Sequence, residues 1–175
     1  AAWVEGKQVA GLKLEVVRIE GRTPVIVFEV PATSGRRAAP SPDAPPRGAA
    51  AAGGVGADIE PGSTDTICLY GHLDKQPEFT GWRSDLGPWT PKIHDGLLYG
   101  RGGADDGYAV YAAITAIEAL DAHGIARPRC VGIIEASEES GSPDLPAYLE
   151  LLRPRLGNVA LVVCLDSGAG NYDQL

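Results

Sequence analysis

The sequence predicts an α/β protein with a mostly parallel, mixed sheet and helices on both faces of that sheet. Three apolar runs, at residues 64–69, 129–136 and 159–165, have the length and composition of buried strands. Helical patterns over residues 108–122 and 143–152 separate these runs. This alternation is typical of parallel strands that are joined by right-handed crossover helices.

The first thirty residues are predicted to form the end of a helix and a β-hairpin. Residues 1–10 have a helical pattern that Gly11 closes. Residues 12–19 alternate apolar and polar side chains, as a half-buried strand does, and residues 24–30 have the composition of a second strand. The turn at residues 20–22 joins the two strands into an antiparallel hairpin.

Residues 34–62 differ in composition from the rest of the chain. They are rich in proline, alanine and glycine and show no helical or strand periodicity. Because they contain too few bulky apolar side chains to pack, we predict that they form a disordered surface insertion.

The segment that follows the first buried strand is predicted to be irregular. Residues 74–91 form a loop with two tryptophans, Trp82 and Trp89, which either line the rim of a binding site or pin the loop to the body of the protein. Residues 92–99 are predicted to form a short hairpin around the turn at residues 94–96.

A glycine-rich turn with two adjacent aspartates, Asp105 and Asp106, precedes the first crossover helix. Glycine permits backbone conformations that other residues avoid. The turn lacks the G-K-[ST] signature of a phosphate loop. Two neighbouring carboxylates would also repel a phosphate, whereas they suit a cation.

Composition and charge exclude several classes of function. The 175 residues suffice for one domain with a core, and the net charge of −8 without a basic patch argues against nucleic acid or an anionic membrane as a partner. No apolar run approaches the ~20 residues of a membrane span. The cysteines Cys68, Cys130 and Cys164 lie in separate apolar runs. We therefore predict buried thiols in a reducing compartment, the cytoplasm, with no disulfide framework.

The first buried strand leads into His72 and, two residues later, Asp74. Side chains at positions i and i+2 of an extended chain lie on the same face. A metal-bound imidazole commonly has this arrangement, with one ring nitrogen on the metal and the other N–H held by a carboxylate. A surface histidine beside a solvated aspartate has the same pattern, so the choice depends on the other acidic residues.

Acidic residues also follow the other two buried strands. Glu138 and Glu139 come after the second strand, and Asp166 comes after the third. In open α/β sheets ligands bind beyond the carboxyl ends of the strands, so we expect these side chains to meet His72 and Asp105 at one edge. Carboxylates in that number repel one another unless a divalent cation lies among them. Imidazole and carboxylate ligands without thiolate favour zinc, manganese or cobalt, and the set is large enough for two ions.

The adjacent glutamates Glu138 and Glu139 are expected to have different roles. In an extended chain their side chains point in opposite directions, so one can hold a metal while the other faces the cleft as a general base. A solvated glutamate pair that opens a helix is the alternative interpretation of the same two residues.

Four motifs occur in a fixed order: GHLD at 71–74, LYGRGGADD at 98–106, EASEESGS at 135–142 and CLDSG at 164–168. Together they resemble the dinuclear-zinc exopeptidase and deacylase family, which includes carnosine and bacterial dipeptidases, acetylornithine deacetylase, succinyl-diaminopimelate desuccinylase and glutamate carboxypeptidase. The resemblance covers about residues 64–168 and is greatest for the dipeptidase branch. It implies the phosphorylase/hydrolase-like fold of zinc exopeptidases.

The resemblance implies a metal ligand set for two divalent ions, with zinc the first candidate. His72 and Asp166 would bind one ion, and Glu139 would bind the other. Asp105 would bridge the two ions, and the peptide bond that follows it would be cis.

The resemblance also implies two catalytic roles and a substrate class. Asp74 would orient the His72 ring, and Glu138 would be the general base. The implied activity is hydrolysis of a small peptide or an N-acyl amino acid by a zinc-dependent exopeptidase of the dipeptidase type.

The sequence departs from this family in two places. The family usually has Asp-Asp-Lys-Gly at the bridging turn, whereas Gly107 stands here in place of the lysine. The family also uses a histidine far downstream, beyond a lid or dimerisation domain, and neither His94 nor His123 has that position, so both are expected at the surface.

Residues 1–175 are therefore expected to be the N-terminal part of a metallopeptidase catalytic domain, without the lid and without the closing strands of the sheet. A homodimer is expected only in a full-length form. Two alternatives remain open: a non-catalytic fragment that binds only a metal or a partner, and an amidohydrolase that acts on a non-peptide amide. Alone, the chain is expected to bind metal weakly and to have little or no activity.

Overall fold

The structure is a computed structural model, and it describes residues 1–34 and 64–166. Apart from Ser34, the insertion predicted over residues 34–62 lies outside the described residues. The described elements follow in the order α1 (Ala2–Glu5), β1 (Lys13–Val17), β2 (Val25–Val30), β3 (Asp65–His72), β4 (Lys92–His94), β5 (Leu97–Tyr99), α2 (Ala109–Ala122), β6 (Arg129–Glu135), α3 (Leu145–Leu156) and β7 (Asn158–Cys164), with a single 3-10 turn at Glu138–Ser140.

A five-stranded mixed sheet forms the centre of the molecule, with the strand order β1-β2-β6-β3-β7. β3 pairs in parallel with β6 on one side and with β7 on the other. β2 pairs antiparallel with both β1 and β6, so within the described sheet only β2 runs against the other strands. This arrangement confirms the mostly parallel, mixed sheet and the antiparallel hairpin predicted from the sequence.

Helices cover both faces of the sheet, as predicted. On one face, Val4 of α1 and the apolar stripe of α2 pack against Phe28 of β2 and Ile134 of β6. On the other face, Tyr148 and Leu152 of α3 pack against β2, β3 and β6. Burial of these apolar surfaces provides most of the stabilisation of such a layered fold.

The chain order of the strands makes β3 the point at which a ligand site is expected. The connection through α2 leads from β3 to its neighbour β6, and the connection through α3 then leads from β6 across to the far side of β3. Ligands of open α/β sheets bind beyond the carboxyl ends of the strands where successive connections leave in opposite directions. His72 is the last residue of β3 and therefore lies at this point.

Two predicted helices differ from the observed ones at their ends. α1 stops at Glu5 rather than near residue 10, because the chain turns at Gly6 and brings Val9 back into the core beside Val4. α3 runs from Leu145 to Leu156 rather than over residues 143–152, and Gly157, with a positive φ of 67°, ends it. The short hairpin of β4 and β5 is confirmed.

The prediction that β7 is a buried strand is wrong. Among the described strands β7 pairs only with β3, so it forms an edge of the sheet, and Val162 is 58% exposed. Cys164 is exposed as well, whereas Cys68 and Cys130 are buried as predicted, and burial raises the pKa of both buried thiols. The apolar composition of β7 could not distinguish a central strand from an edge strand.

Among the described helices, none combines the length and the apolar composition of a membrane span.

Candidate metal centre

His72 is fixed in position from two sides. Its side chain is fully buried, and its backbone N–H donates to Oδ2 of Asp106 at 2.9 Å. Its ring atom Nδ1 lies 3.3 Å from the carbonyl oxygen of Asp74 and 3.3 Å from Oδ1 of the same residue. A proton on Nδ1 satisfies these oxygens and leaves a lone pair on Nε2, which is the tautomer that a metal ligand requires.

Three carboxylates surround the free ring nitrogen of His72. Nε2 lies 3.3 Å from Oδ1 of Asp105, 3.7 Å from Oε2 of Glu138 and 3.7 Å from Oδ2 of Asp166. Nε2 is nevertheless a buried atom without a hydrogen-bond partner in residues 1–34 and 64–166. Because a buried polar atom without a partner is costly, this arrangement fits a cation placed between the imidazole and the carboxylates.

Two groups of side chains have the spacing of metal ligands. One group is His72, Asp105 and Glu139, and the other is His72, Glu138 and Asp166; in each group the ligand atoms lie within 4.8 Å of one another. The structure therefore brings together at one edge of the sheet the residues that the sequence singled out. Their donor set of one imidazole and several carboxylates suits zinc, manganese or cobalt.

The carboxylates change the acid–base properties of the site. Burial raises the pKa of Glu138, and the negative charges of Asp166 and Glu139 raise it further against the opposing effect of His72. Burial alone would lower the pKa of His72, but the nearby carboxylates, Asp74 first among them, outweigh burial and raise it. The carboxylate contributions to both pKa shifts reflect the excess negative charge of the site, which a divalent cation would neutralise.

Asp74 connects the His72 loop to the glutamate pair. Its carboxylate accepts the backbone N–H of Glu138 at 3.2 Å and of Glu139 at 3.0 Å. The glutamates begin a 3-10 turn, so the predicted extended conformation of this pair is wrong. Their side chains still diverge, because Glu139 belongs to the group with Asp105 and Glu138 belongs to the group with Asp166.

Gln76 holds the Glu139 carboxylate in place, and the sequence pattern did not indicate this contact. The backbone N–H of Gln76 donates to Oε1 of Glu139 at 3.1 Å, and its side-chain amide donates to Oε2 of the same carboxylate. Two donors from one residue set the orientation of a carboxylate that lies in a ligand-spaced group. The only signal for this contact was the position of Gln76 shortly after His72 and Asp74.

Glu135 is a buried carboxylate next to the segment that carries the glutamate pair. The sequence pattern did not indicate its role either. The Glu135 carboxylate accepts hydrogen bonds from the hydroxyls of Tyr70 at 2.5 Å, Ser142 at 2.8 Å and Ser137 at 3.0 Å. Burial and the hydrogen bond to Glu135 raise the pKa of Tyr70, which therefore remains a donor. Ser137 and Ser142 flank the 3-10 turn, so the Glu135 carboxylate fixes both ends of the segment that carries Glu138.

The glycine-rich turn meets β3 through Asp106. Asp106 is fully buried and accepts the backbone N–H groups of His72 and Ala109, which links the end of β3 to the start of α2. Burial raises the pKa of Asp106 against these hydrogen bonds. The peptide bond between Asp105 and Asp106 is cis, as the family resemblance implied. Nothing in the sequence pattern distinguishes the role of Asp106 from that of Asp105.

Gly71 permits the close approach of β3 to this turn. A Cβ atom at Gly71 would lie 2.6 Å from Oδ2 of Asp106 and would overlap Cβ of Ala109. We expect Gly71→Ala to destabilise the fold by about 1–3 kcal/mol, because a well-packed site has no room for the methyl group. The midpoint of thermal unfolding measures the effect. Gly87→Ala, at a glycine with open space around it, is the matched control. Equal melting of both variants and the wild type would contradict the prediction.

The two remaining histidines do not contribute to the site. His94 lies in the β4–β5 hairpin beside Asp95, with a side chain that is 37% exposed, and His123 is exposed at the end of α2. Neither belongs to a ligand-spaced group of the described residues. The expectation that both lie at the surface is confirmed.

The sheet and the carboxylate-rich histidine site at its carboxyl edge are those of a metallopeptidase fold. Residues 68–173 match the model of Peptidase family M20/M25/M40, and the chain belongs to this family.

Similar proteins include both deacylases and dipeptidases. The chain is 37% identical over 75 residues to a succinyl-diaminopimelate desuccinylase of Anaplasma marginale, which covers 43% of this chain and 18% of that protein. It is 41% identical over 93 residues to the human Beta-Ala-His dipeptidase, which covers 51% of this chain and 18% of the dipeptidase. The chain therefore spans less than a fifth of the length of these two relatives.

Solved structures support the same fold. The crystal structure of human carnosine dipeptidase 1 is similar with a TM-score of 0.59 and 29% identity, over 90% of this chain and 30% of that one. A metallo-carboxypeptidase of family M20 from Sulfolobus solfataricus is similar with a TM-score of 0.63 over 96% of this chain and 31% of that one. At 22% identity, the second likeness shows the fold alone.

Proposed function

We propose that the chain is part of a metal-dependent hydrolase that cleaves a peptide or N-acyl amide bond of a small substrate. The single observation that carries this proposal is the buried Nε2 atom of His72, which has three carboxylate oxygens within 3.7 Å and no hydrogen-bond partner in the described residues. Membership of a peptidase family supports the same reaction class.

We assign the residues of the centre as follows. His72 and Asp166 would hold one divalent ion, Glu139 would hold a second, and Asp105 would serve as a ligand to both; zinc is the first candidate, and manganese and cobalt are the others. When bound, such ions polarise the scissile carbonyl group and lower the pKa of a water molecule towards ~7. Asp74 and Gln76 keep His72 and Glu139 in the required orientations through the hydrogen bonds described above.

Glu138 is assigned as the general base. Its carboxylate lies 3.7 Å from Nε2 of His72 and has ligand spacing with Asp166, so it is close enough to the assigned ligands to act on a water molecule there. In this role it takes a proton from the attacking water and gives it to the leaving amine. The contact of the Glu138 backbone N–H with Asp74 and the anchoring of its segment on Glu135 hold the base beside the ligands.

The substrate class follows from the relatives. These are named as desuccinylases, which act on an N-acyl group, and as dipeptidases. We propose that the protein containing this chain acts on a small peptide or an N-acyl amino acid.

A metal titration of the purified chain together with a hydrolysis panel tests this function. We expect the chelator-stripped chain to bind divalent ions weakly and the full-length protein to bind two zinc ions, as measured by calorimetry and elemental analysis. The full-length protein is expected to hydrolyse a dipeptide or an N-succinyl amino acid in preference to a non-peptide amide.

His72→Ala should lose zinc, and the matched variant His123→Ala should keep it. A wild type that binds no divalent ion would contradict the proposal, and metal binding without turnover would favour a non-catalytic chain.

A further inference from the structure

The two turns that carry the assigned ligands of the second ion come from separate parts of the chain. Asp105 lies in the glycine-rich turn before α2, and Glu139 lies in the 3-10 turn after β6. With His72 they form one of the ligand-spaced groups. An ion fits such a group only if other residues hold its members at the required separation. The contacts that join the two turns therefore bear on whether the second ion binds.

Gln76 reaches the Glu139 side of this group and not the other ion. Its backbone N–H and its side-chain amide each donate to one oxygen of the Glu139 carboxylate, the former at 3.1 Å. The described hydrogen bonds of Gln76 do not include Glu138 or Asp166, which belong to the second ligand-spaced group. Gln76 thus acts on one of the two groups only.

Arg101 reaches Gln76 from the glycine-rich turn. Its Nε donates to the carbonyl oxygen of Gln76 at 3.2 Å and to that of Pro77 at 3.1 Å. Its guanidinium group lies 4.4 Å from the centroid of the Phe79 ring, which adds a cation–π contact. Hydrogen bonds from a charged donor are stronger than those between neutral groups. Arg101 therefore ties the start of the loop after β3 to the glycine-rich turn.

These contacts form one connected path between the two turns. Gln76 accepts from Arg101 through its carbonyl oxygen and donates to Glu139 through its N–H groups, so it is held from both sides. Arg101 lies shortly before Asp105 in the same turn, and both Arg101 and Gln76 are half-buried. A plain loop anchor would support the whole site, whereas this path ends on the ligands of one ion.

We propose that Arg101 and Gln76 are positioning residues for the second ion, because together they fix the separation of Asp105 and Glu139. The ion assigned to His72 and Asp166 does not depend on this path. The inference rests on the proposed function, since it takes the two-ion assignment as its starting point.

A zinc titration of the chelator-stripped full-length protein, by calorimetry with a competing chelator, measures the affinity for each ion. We expect Arg101→Leu and Gln76→Leu each to lower the affinity for the second ion by about 10–100-fold, as loss of an outer-shell partner does, and to leave that for the first ion unchanged. Removing the positive charge of Arg101 would by itself favour a cation, so a lower affinity reports lost positioning and not lost charge.

Two exposed residues of the same types provide the controls. Arg153 pairs with Glu150 on the surface of α3 with a side chain that is 76% exposed, and Gln8 is exposed near the start of the chain. Arg153→Leu and Gln8→Leu should leave both affinities unchanged.

The double variant tests whether Arg101 acts through Gln76. If it does, the Arg101→Leu/Gln76→Leu protein loses about as much affinity for the second ion as the more affected single variant, because the two residues share one path. Fully independent losses in the double variant would overturn that path. Anomalous scattering of zinc from crystals of Gln76→Leu, grown at limiting zinc, should show the position beside Glu139 empty and the position beside Asp166 filled.

Equal weakening of both ions would overturn the inference, because Arg101 and Gln76 would then support the fold in general. Unchanged affinities would overturn it as well. If one single variant does not fold, the other still decides, since each contacts a different end of the path. Turnover adds a second readout: both variants should need about tenfold or more zinc for half-maximal turnover and reach the wild-type plateau. A lower plateau at saturating zinc would overturn metal positioning as the role.

The failure of this inference is distinguishable from failure of the proposed function. A wild type that binds two ions and hydrolyses its substrate, with both variants unchanged, would overturn the inference alone. A wild type that binds a single ion would overturn the inference together with the two-ion assignment, and a wild type that binds none would overturn the proposed function.

Discussion

Replacing Glu138 with glutamine is expected to reduce the hydrolysis rate by about 10²–10⁴-fold, the usual contribution of a general base. Glutamine has nearly the same shape as glutamate and retains the backbone contact to Asp74, but it cannot accept a proton from water. The zinc content should be unchanged, because the assigned ligands are His72, Asp105, Glu139 and Asp166. Turnover and metal content are measured on the same preparation of the full-length protein.

Two results would contradict this assignment of Glu138. Undiminished turnover would remove Glu138 as the base. Loss of zinc together with turnover would make Glu138 a metal ligand, a role that its spacing from His72 and Asp166 also permits. Glu150→Gln is the matched control, because Glu150 is exposed on α3, pairs only at the surface with Arg153, and should leave both quantities unchanged.

Asp105→Asn is expected to have the largest effect on metal binding. Oδ1 of Asp105 lies 3.3 Å from Nε2 of His72, and the carboxylate is assigned to both ions. Asparagine retains the size of the side chain but loses its negative charge and one ligand oxygen. We expect zinc affinity to fall by more than the about 10–100-fold that follows loss of an outer-shell partner. Competition with a chromophoric chelator measures the affinity, and turnover should fall with it.

The aspartate at position 95 provides the control for this experiment. Its side chain is 86% exposed in the β4–β5 turn, so Asp95→Asn removes the same charge without touching the site. The Asp105 side chain is itself 54% exposed, and we therefore expect both variants to melt close to the wild type. Wild-type zinc affinity in Asp105→Asn would show that Asp105 is not a ligand.

Much of the sheet could be predicted from local patterns. The strand, helix, strand, helix, strand order indicated parallel strands, and the hairpin at the start of the chain indicated an antiparallel addition. The apolar composition of β7 does not by itself indicate an exposed position, because an edge strand and a central strand of a parallel sheet can have the same apolar composition. Whether a strand is covered depends on what lies beside it in space.

The partners of the candidate ligands were also beyond sequence reasoning. Gln76, Glu135 and Asp106 are polar residues of ordinary type, and nothing in their spacing distinguishes them from solvated side chains. Their roles depend on contacts between separate parts of the chain: the segment after β3, the end of β6 and the turn before α2. The side chains of the adjacent glutamates diverge as expected but for a different reason, because a 3-10 turn and not an extended chain separates them.

The sequence by itself determined which residues stand at the ends of the parallel strands, because strand periodicity and motif order are local properties that are read along the chain. It thereby indicated His72, the glutamate pair and Asp166 as neighbours at one edge. Only the tertiary structure decided how these side chains are oriented and which groups hold them. Hydrogen-bond partners and burial arise from long-range packing, which no single segment of the chain specifies.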